Sequence, residues 1–483
     1  MTEQSLKDKT AKGLFWGGVS NGVQQLLNLL FGIFLARLLT PADYGMVGML
    51  TIFSLIAGSI QESGFISALI NKKDIKHEDY NAVFWFSTLT SICIYSFLFI
   101  SAPYIAIFFD QPELKTLARY SFLGFVISSL GTAHTAYMYK NLMIKQKSLS
   151  TLIGLCVSGI VGIILAYKGY SYWGIATQSI TYVSTVMLCY WFFSPWKPTL
   201  TFNFTPLRNM LAFSSKMLAT NIFNHINNNI LSIVFGKFYS EQDVGYYNQA
   251  NKWNTMGYSL VNGMINGVAQ PILCKVSEEK TRQLHIFRKM IRFTAFVSFP
   301  VMFGFSFIAP ELITITITEK WIKSAEILQL ICIGGAFLSI NGVCSNLIIS
   351  KGKSNIYMWI TITLGLLQLL ISYLVHPYGI YPTIIIYTSI NISWLFVWHY
   401  FVKREIHYHF LDLLKDIIPF LTITIVTLSI TYILTLSLEN IYLRFFYKII
   451  LASCIYALCM WLTGSKIFKE CISYIWKIIS KKQ

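Results

Sequence analysis

The sequence predicts an all-α, polytopic membrane protein with about fourteen transmembrane helices. Three observations support this fold class. Hydrophobic residues make up 55% of the 483 residues and charged residues only 12%, which is too little charge for a soluble domain. The apolar residues fall in runs long enough to span a bilayer. Basic residues gather in short clusters between these runs, as loops on one side of a membrane do.

The predicted spans follow one another with short connections. In chain order they cover residues 13–39, 41–70, 81–109, 115–139, 148–168, 171–194, 209–238, 241–274, 284–309, 322–350, 355–376, 379–402, 411–436 and 441–464. If the N-terminus is cytoplasmic, the inner segments hold 27 of the 38 Lys and Arg with 11 acidic residues, and the outer segments hold 9 of each sign. This asymmetry predicts that both termini are cytoplasmic.

The chain repeats itself at an offset of 200 to 207 residues. ARLLTPADYG around Asp43 matches GKFYSEQDVG around Asp243, and in each the hydroxyl of Thr40 or Ser240 and the following Asp form a predicted capping box. Three later matches keep the same order along the chain. Six spans per repeat give both halves one orientation, related by an axis along the membrane normal. The predicted organisation is one six-helix bundle in residues 1–205, a second in 206–405, helices 13 and 14 in 406–465, and an amphipathic basic tail in 466–483 that lies on the membrane surface.

Two predicted helices between Ser214 and Pro271 are too polar to face lipid. The first contains NIFNHINNN, and the second has polar residues every three or four positions from Asn248 to Gln270. Lys252 lies roughly 18 Å along its helix, too deep for its ammonium to reach either surface easily. We therefore expect these helices and their counterparts in the first half to line a hydrated cavity at the interface of the halves. The candidate substrate-binding residues are Lys252, Lys216, His225, Asn224, Asn228, Asn248, Asn262, Asn21, Gln24 and Gln61. The alternative is that the amides hydrogen-bond neighbouring helices as packing contacts.

Three further ionisable residues lie at predicted functional positions. Glu62 is a carboxylate in the middle of a span, so it is the candidate for binding a coupling ion, H⁺ or Na⁺; the alternative is that it pairs with a lysine. Arg37 and Lys237 lie near the outer ends of helices 1 and 7. They are candidate gate residues, although interfacial anchors have the same pattern.

Several functions are disfavoured by the same residues. The nine cysteines show no CxxC or Cys/His spacing, so no metal site or disulfide is predicted. The basic residues are scattered rather than gathered in a groove, which argues against a nucleic-acid partner. No loop is long enough for a catalytic domain. We expect no cofactor and no enzymatic activity.

Three segments make the chain similar to a known superfamily. GLFWGGVSNGVQQLLNLLFGIFLARLLTPADYGMVGMLTIF, IAPELITITITEKW ending at Trp321, and SKGKSN in residues 350–355 resemble the multidrug/oligosaccharidyl-lipid/polysaccharide exporter superfamily, and within it the Wzx-type polysaccharide flippases of the colanic-acid-exporter-like branch. The resemblance implies a MATE-like fold of two six-helix bundles around a V-shaped, cationic cavity. It also implies transport of an undecaprenyl-diphosphate-linked oligosaccharide to the outer leaflet of a bacterial cytoplasmic membrane, with a polymerase and glycosyltransferases of the same pathway as partners.

A flippase for lipid-linked oligosaccharide is therefore the leading functional hypothesis. Fixed lysines in a hydrated cavity can replace the counterions of a diphosphate, and amides suit sugar hydroxyls. A multidrug antiporter of the same superfamily is the first alternative, but it is expected to carry more cavity carboxylates than Glu62. A membrane glycosyltransferase or polysaccharide polymerase is the second alternative, and it normally needs a large loop with paired carboxylates or an Arg-rich outer loop.

Overall fold

The computed structural model describes residues 3–62, 65–72, 74–201, 203 and 205–480. Throughout these residues the chain is helical, with turns and short connections and no strand. The predicted all-α fold class is confirmed. By packing, the chain divides into two units, Met1–Gly245 and Tyr246–Gln483. This division does not test the repeat boundary at residue 205, which stays a prediction.

The first unit contains ten complete helices among its described residues and the start of an eleventh. They are α1 (Glu3–Leu38), α2 (Pro41–Glu62), α3 (Phe65–Asn71), α4 (His77–Phe108), α5 (Leu114–Ser121), α6 (Leu123–Ser129), α7 (Thr132–Lys140), α8 (Ile144–Tyr167), α9 (Tyr172–Phe193), α10 (Thr205–Phe238) and the first residues of α11 (Glu241–Lys275). Helices α8 and α9 pack along each other, α1 packs on α8, and α10 packs on α2 and α4.

The second unit continues α11 and adds seven α-helices in its described part. They are α12 (Lys280–Ile317), α13 (Ile322–Ser350), α14 (Ser354–Val375), α15 (Ile380–Ile406), α16 (Phe410–Thr435), α17 (Ile441–Leu462) and α18 (Lys466–Ser480). Helix α13 packs between α12 and α15, and α16 and α17 pack on α12. The tail predicted after residue 465 is a helix, α18.

Nine helices of the described chain are long and apolar enough to cross a membrane: α2, α4, α8 and α12 to α17. The protein is thus a multi-pass membrane protein, while the predicted number of fourteen spans is not confirmed. Helices α10 and α11 have the length but are not apolar enough, because amides and charges interrupt them. A polar helix of this length can lie in a membrane only where protein or water covers its polar face.

The fourth predicted span, residues 115–139, is not one helix. It is divided into α5, α6 and α7, so the expectation of a continuous helix is wrong. A break at membrane depth is tolerated where side chains bond the freed backbone groups. Trp191 Nε1 donates to the Leu130 carbonyl at 2.9 Å, and the Tyr95 hydroxyl donates to the Arg119 carbonyl at 3.2 Å. In the second predicted span, 41–70, the described residues form α2 and α3, and residues 63–64 lie outside the described residues.

Both predicted capping boxes are present. The Thr40 hydroxyl donates to Asp43 Oδ2 at 2.7 Å, and the Asp43 amide donates back to Thr40 Oγ1 at 3.3 Å. The second box repeats this pattern: the Ser240 hydroxyl donates to Asp243 Oδ2 at 2.8 Å, and the Asp243 amide donates to Ser240 Oγ at 3.2 Å. Each box satisfies orphan amides where α2 or α11 begins.

Within the first unit, the starts of α2 and α11 touch through equivalent residues of the two repeats. A Cβ added at Gly45 would lie 1.7 Å from the Glu241 carbonyl oxygen, and one added at Gly245 would lie 1.8 Å from the Pro41 carbonyl oxygen. Only glycine permits so close a backbone approach. The reciprocity of the two contacts is the arrangement expected of a duplicated segment.

A buried carboxylate joins α16 to α12 in the second unit. Asp416 is 1% exposed and accepts from Arg288 Nε at 2.9 Å, from Arg292 Nε at 2.6 Å and from the Tyr408 hydroxyl at 3.0 Å. Burial and the neighbouring carboxylate raise the pKa of Tyr408, so its hydroxyl stays a proton donor. Since Asp412 also pairs with Arg288, at 3.0 Å, the cluster fixes the start of α16 on α12.

Candidate functional site

The polar stripe of α11 is accessible on the surface of the second unit. The exposed residues of the stripe follow one another at intervals of about one helical turn: Lys252, Thr255 and Ser259. Asn248, at the N-terminal end of the stripe, is half-buried. Lys252 forms no ion pair or hydrogen bond with any described residue. In a helix that lies in the membrane, an accessible ammonium without a counter-charge needs water or an anionic ligand beside it.

Asn262 occupies a different position from the rest of this stripe. It is half-buried, and its Oδ1 lies 3.8 Å from the place where a Cβ at Gly342 of α13 would be. About two turns earlier in α11, Asn254 Oδ1 lies 2.7 Å from the place where a Cβ at Gly335 of α13 would be. Both amide oxygens lie against small residues of a neighbouring helix, and neither accepts a hydrogen bond from a described residue. The role of Asn262 in substrate binding therefore stays a prediction.

Most predicted polar residues of α10 that the structure describes are at least partly accessible in the first unit. Asn221 and Asn228 are exposed, and Asn224 and His225 are half-buried. The Asn229 amide donates to the His225 carbonyl at 2.8 Å, within the helix. Sequence periodicity predicted that these residues share one face of the helix, since Asn221, Asn224, His225 and Asn228 recur at helical spacing.

The amides of the first two helices divide into accessible and packed groups. Asn21 is exposed, and Gln24 is half-buried and donates to Ser20 Oγ one turn earlier, at 2.7 Å. Gln61 is only 1% exposed, and its Nε2 donates to Thr132 Oγ1 of α7 at 2.9 Å. This buried bond joins α2 to α7 and is the packing contact of the alternative interpretation, so Gln61 is left out of the proposed site.

The two gate candidates are both exposed, and they lie in the last turns of α1 and α10. Lys237 Nζ donates to the Phe108 carbonyl at 2.7 Å and lies 5.0 Å from the centre of the Phe108 ring. These contacts fasten the end of α10 to the end of α4 in the first unit. They agree with an anchoring role for Lys237, while the gate role of Lys237 and Arg37 stays a prediction.

The side chains of Lys216 in α10 and Glu62 in α2 lie outside the described residues. Their roles as a second cationic contact and as the coupling-ion candidate therefore stay predictions. Among the side chains that are described, no three His, Cys, Asp or Glu residues lie together as a metal site would require.

An ion pair that the sequence analysis missed lies in the second unit. Lys448 Nζ of α17 donates to Glu311 Oε1 of α12 at 2.7 Å, and the two side chains are 9% and 5% exposed. Glu311 was assigned to an outer loop, but α12 continues through Pro310 to Ile317. The signal was present in the sequence: Lys448 interrupts the apolar run 441–462, and a charge in such a run predicts a buried partner.

The sequence matches a known family over more than half of its length. The family is described as polysaccharide biosynthesis protein, and the match covers residues 34–326. An uncharacterized membrane protein in the cps region of Klebsiella pneumoniae is 26% identical over 72% of this chain and 73% of its own. The teichuronic acid biosynthesis protein TuaB of Bacillus subtilis is 23% identical over 90% and 91%. The lipopolysaccharide biosynthesis protein WzxC of Escherichia coli is 22% identical over 73% and 72%.

The fold is also that of a solved transporter structure. The lipid II flippase MurJ, in its inward closed conformation, superposes with a TM-score of 0.76 at 17% identity, over 94% of this chain and 99% of MurJ. An identity this low establishes the fold alone. Together, the family match, the relatives and this fold confirm the resemblance drawn from the three sequence segments.

Proposed function

Since this chain belongs to the polysaccharide biosynthesis protein family, we propose that it is a flippase for a lipid-linked oligosaccharide in a bacterial cytoplasmic membrane. The substrate is an undecaprenyl-diphosphate-linked repeat unit of lipopolysaccharide O-antigen or exopolysaccharide. It enters from the inner leaflet and is released to the outer leaflet by alternating access, and both termini of the protein are cytoplasmic. The names of TuaB, WzxC and MurJ, which concern cell-surface polysaccharides and a lipid-linked precursor, support this substrate class.

The single observation that carries the proposal is the accessible Lys252 within the polar stripe of α11, which has no partner among the side chains that the structure describes. A diphosphate crossing the membrane must replace its water and counterions, because moving it bare into hydrocarbon would cost many kcal/mol. The Lys252 ammonium supplies a counter-charge, and the hydroxyls of Thr255 and Ser259 offer hydrogen bonds to phosphate or sugar. On the first unit, the accessible amides of α10, with Asn21 and Gln24 of α1, offer hydrogen bonds that suit sugar hydroxyls.

Energy coupling and protein partners complete the proposal. Glu62, a carboxylate in a membrane helix, binds the coupling ion, H⁺ or Na⁺. The chain works beside the polymerase and glycosyltransferases of its pathway and is itself a transporter rather than an enzyme.

The test is translocation of an undecaprenyl-diphosphate oligosaccharide in proteoliposomes, read as exposure of the glycan to an impermeant sugar-modifying reagent. We expect Lys252→Ala to lower the rate about tenfold or more, since a charged hydrogen bond contributes about 1.5–3 kcal/mol. Lys252→Arg keeps the charge and should keep most of the rate. Lys275→Ala removes the same charge from the exposed end of the same helix and serves as the matched control.

Two results would contradict the proposal. If Lys252→Ala and Lys275→Ala lower the rate equally, Lys252 has no particular contact with the substrate. If the wild-type protein moves no glycolipid but expels a cationic dye under an ion gradient, the protein is a multidrug antiporter, and Glu62 becomes the residue to substitute first.

A further inference from the structure

A cavity of about 400 Å³, partly open to the surface, is lined by residues of the first unit, and none of its lining residues belongs to α11. Its walls come from α3, α6, α7, α8 and α9, and its volume is in the range of small-molecule binding sites. The break between α6 and α7 at Gly131 forms part of the wall. The site is thus built around the point where the fourth predicted span is interrupted.

The cavity carries one positive charge among its lining residues. Lys147, in the first turn of α8, donates from Nζ to the Tyr139 hydroxyl and lies 3.7 Å from the centre of the Tyr139 ring. No described carboxylate pairs with Lys147. The ammonium has three hydrogen atoms, so it can bind an anion while it keeps the bond to Tyr139.

The other polar lining groups are hydroxyls. Thr132 Oγ1 accepts from Gln61, so its own hydrogen is available to a ligand, and Ser128 and Tyr182 make no side-chain hydrogen bond to any described residue. The side chains of Tyr182 and Tyr190 also line the cavity. Hydroxyl groups beside tyrosine rings suit a ligand with several hydroxyls and an apolar face, as sugars and polyols have.

We propose that this cavity binds a phosphorylated polyol or sugar, with the phosphate on Lys147 and the hydroxyls directed to α7 and α9. In the predicted topology, the connection from Lys140 to Lys147 is cytoplasmic, so the ligand comes from the inner leaflet. Two sources share this chemistry: the headgroup of phosphatidylglycerol and the phosphosugar of a polyprenyl-linked glycolipid. The inference does not rest on the proposed function, because none of its residues belongs to the polar faces of α10 or α11.

The experiment counts lipids retained by the full-length protein in native mass spectrometry. Detergent-solubilised protein is titrated separately with phosphatidylglycerol, with undecaprenyl-diphospho-N-acetylglucosamine, and with phosphatidylcholine as the neutral-headgroup control. Lys147→Gln removes the charge. Lys145→Gln makes the same change at an exposed residue of the same helical turn that does not line the cavity. Ser128→Leu fills the cavity and leaves its charge unchanged.

We expect Lys147→Gln to weaken retention of at least one phosphorylated lipid about tenfold, equivalent to about 1.4 kcal/mol, with Lys145→Gln close to wild type. Loss for phosphatidylglycerol alone identifies a membrane-lipid site, loss for the glycolipid alone identifies a substrate site, and loss for both identifies the shared chemistry. Ser128→Leu should reproduce the loss. Equal effects of Lys147→Gln and Lys145→Gln, or unchanged retention in both Lys147→Gln and Ser128→Leu, would overturn the proposal.

Discussion

The crossing of α2 and α11 predicts a large effect from a single methyl group. In Gly45→Ala, the new Cβ would lie 1.7 Å from the Glu241 carbonyl oxygen, whereas an ordinary contact begins at 3.4 Å. The two backbones must therefore separate by about 1.7 Å to reach ordinary packing, and a backbone cannot rotate away as a side chain can. Overpacking of this kind typically costs about 1–3 kcal/mol, and we place Gly45→Ala toward the upper end of that range.

The matched control lies in the same helix. A Cβ at Gly58 of α2 would meet nothing within 4 Å. Because alanine is the better helix former by about 1 kcal/mol, Gly58→Ala should leave stability unchanged or raise it. The measurement is thermal unfolding of the detergent-solubilised full chain, where each kcal/mol corresponds to roughly 2–4 °C for a unit of this size. Gly45→Ala should unfold several degrees below the wild type.

The reciprocal contact adds a second test of the same reasoning. Gly245→Ala should cost about as much as Gly45→Ala, because its Cβ would lie 1.8 Å from the Pro41 carbonyl oxygen. Once one methyl group has separated the helices, the second adds little, so the double variant should be less destabilised than the sum of the single variants by about 1 kcal/mol or more. Strict additivity, or equal stability of Gly45→Ala and Gly58→Ala, would refute the close crossing.

Variants at three places in the second unit test the side chains that stabilise it. Asp416→Asn should lower the free energy of unfolding by about 2 kcal/mol, measured by thermal unfolding. This loss is smaller than for a fully buried ion pair, because the arginine partners of Asp416 are partly exposed. Asp412→Asn should lower it by under about 1 kcal/mol. Lys448→Met should destabilise the protein by about 3 kcal/mol, because it leaves the Glu311 carboxylate buried without its partner. Adding Glu311→Leu should restore most of this stability, because it removes the unpaired charge. A double variant as unstable as Lys448→Met would contradict this reasoning. Asn440→Ala should cost about 1 kcal/mol, because the Asn440 side chain accepts from two amides at the start of α17.

Sequence alone predicted the apolar helices well. The span expected at 411–436 is the helix Phe410–Thr435, and the one expected at 441–464 is Ile441–Leu462. Hydrophobic length determines such helices, because the bilayer requires about 20 apolar residues and the backbone must bond within the segment. Both capping boxes were predicted for a similar reason, since each depends only on residues three positions apart.

Features that depend on neighbouring helices were predicted less well. The break at Gly131 needs Trp191, 60 residues later, to bond the Leu130 carbonyl, and no local pattern shows that bond. The polar side chain of Gln61 suggested that it faces a cavity, but it is buried and bonded to Thr132. Periodicity assigns a side chain to a face of its helix, but whether that face meets water or another helix is a tertiary property.

Lys448 and Lys252, both in the second unit, differ in what balances their charge. This difference supports Lys252 as the substrate contact. Lys448 lies in an apolar helix, but Glu311 neutralises it and both side chains are buried, so its charge is satisfied within the protein. Lys252 is exposed and has no such carboxylate among the described residues. A fixed charge left without a partner in a membrane protein is costly. The free-energy cost of keeping the Lys252 charge falls if a substrate brings the counter-charge, and an anionic lipid headgroup would supply it.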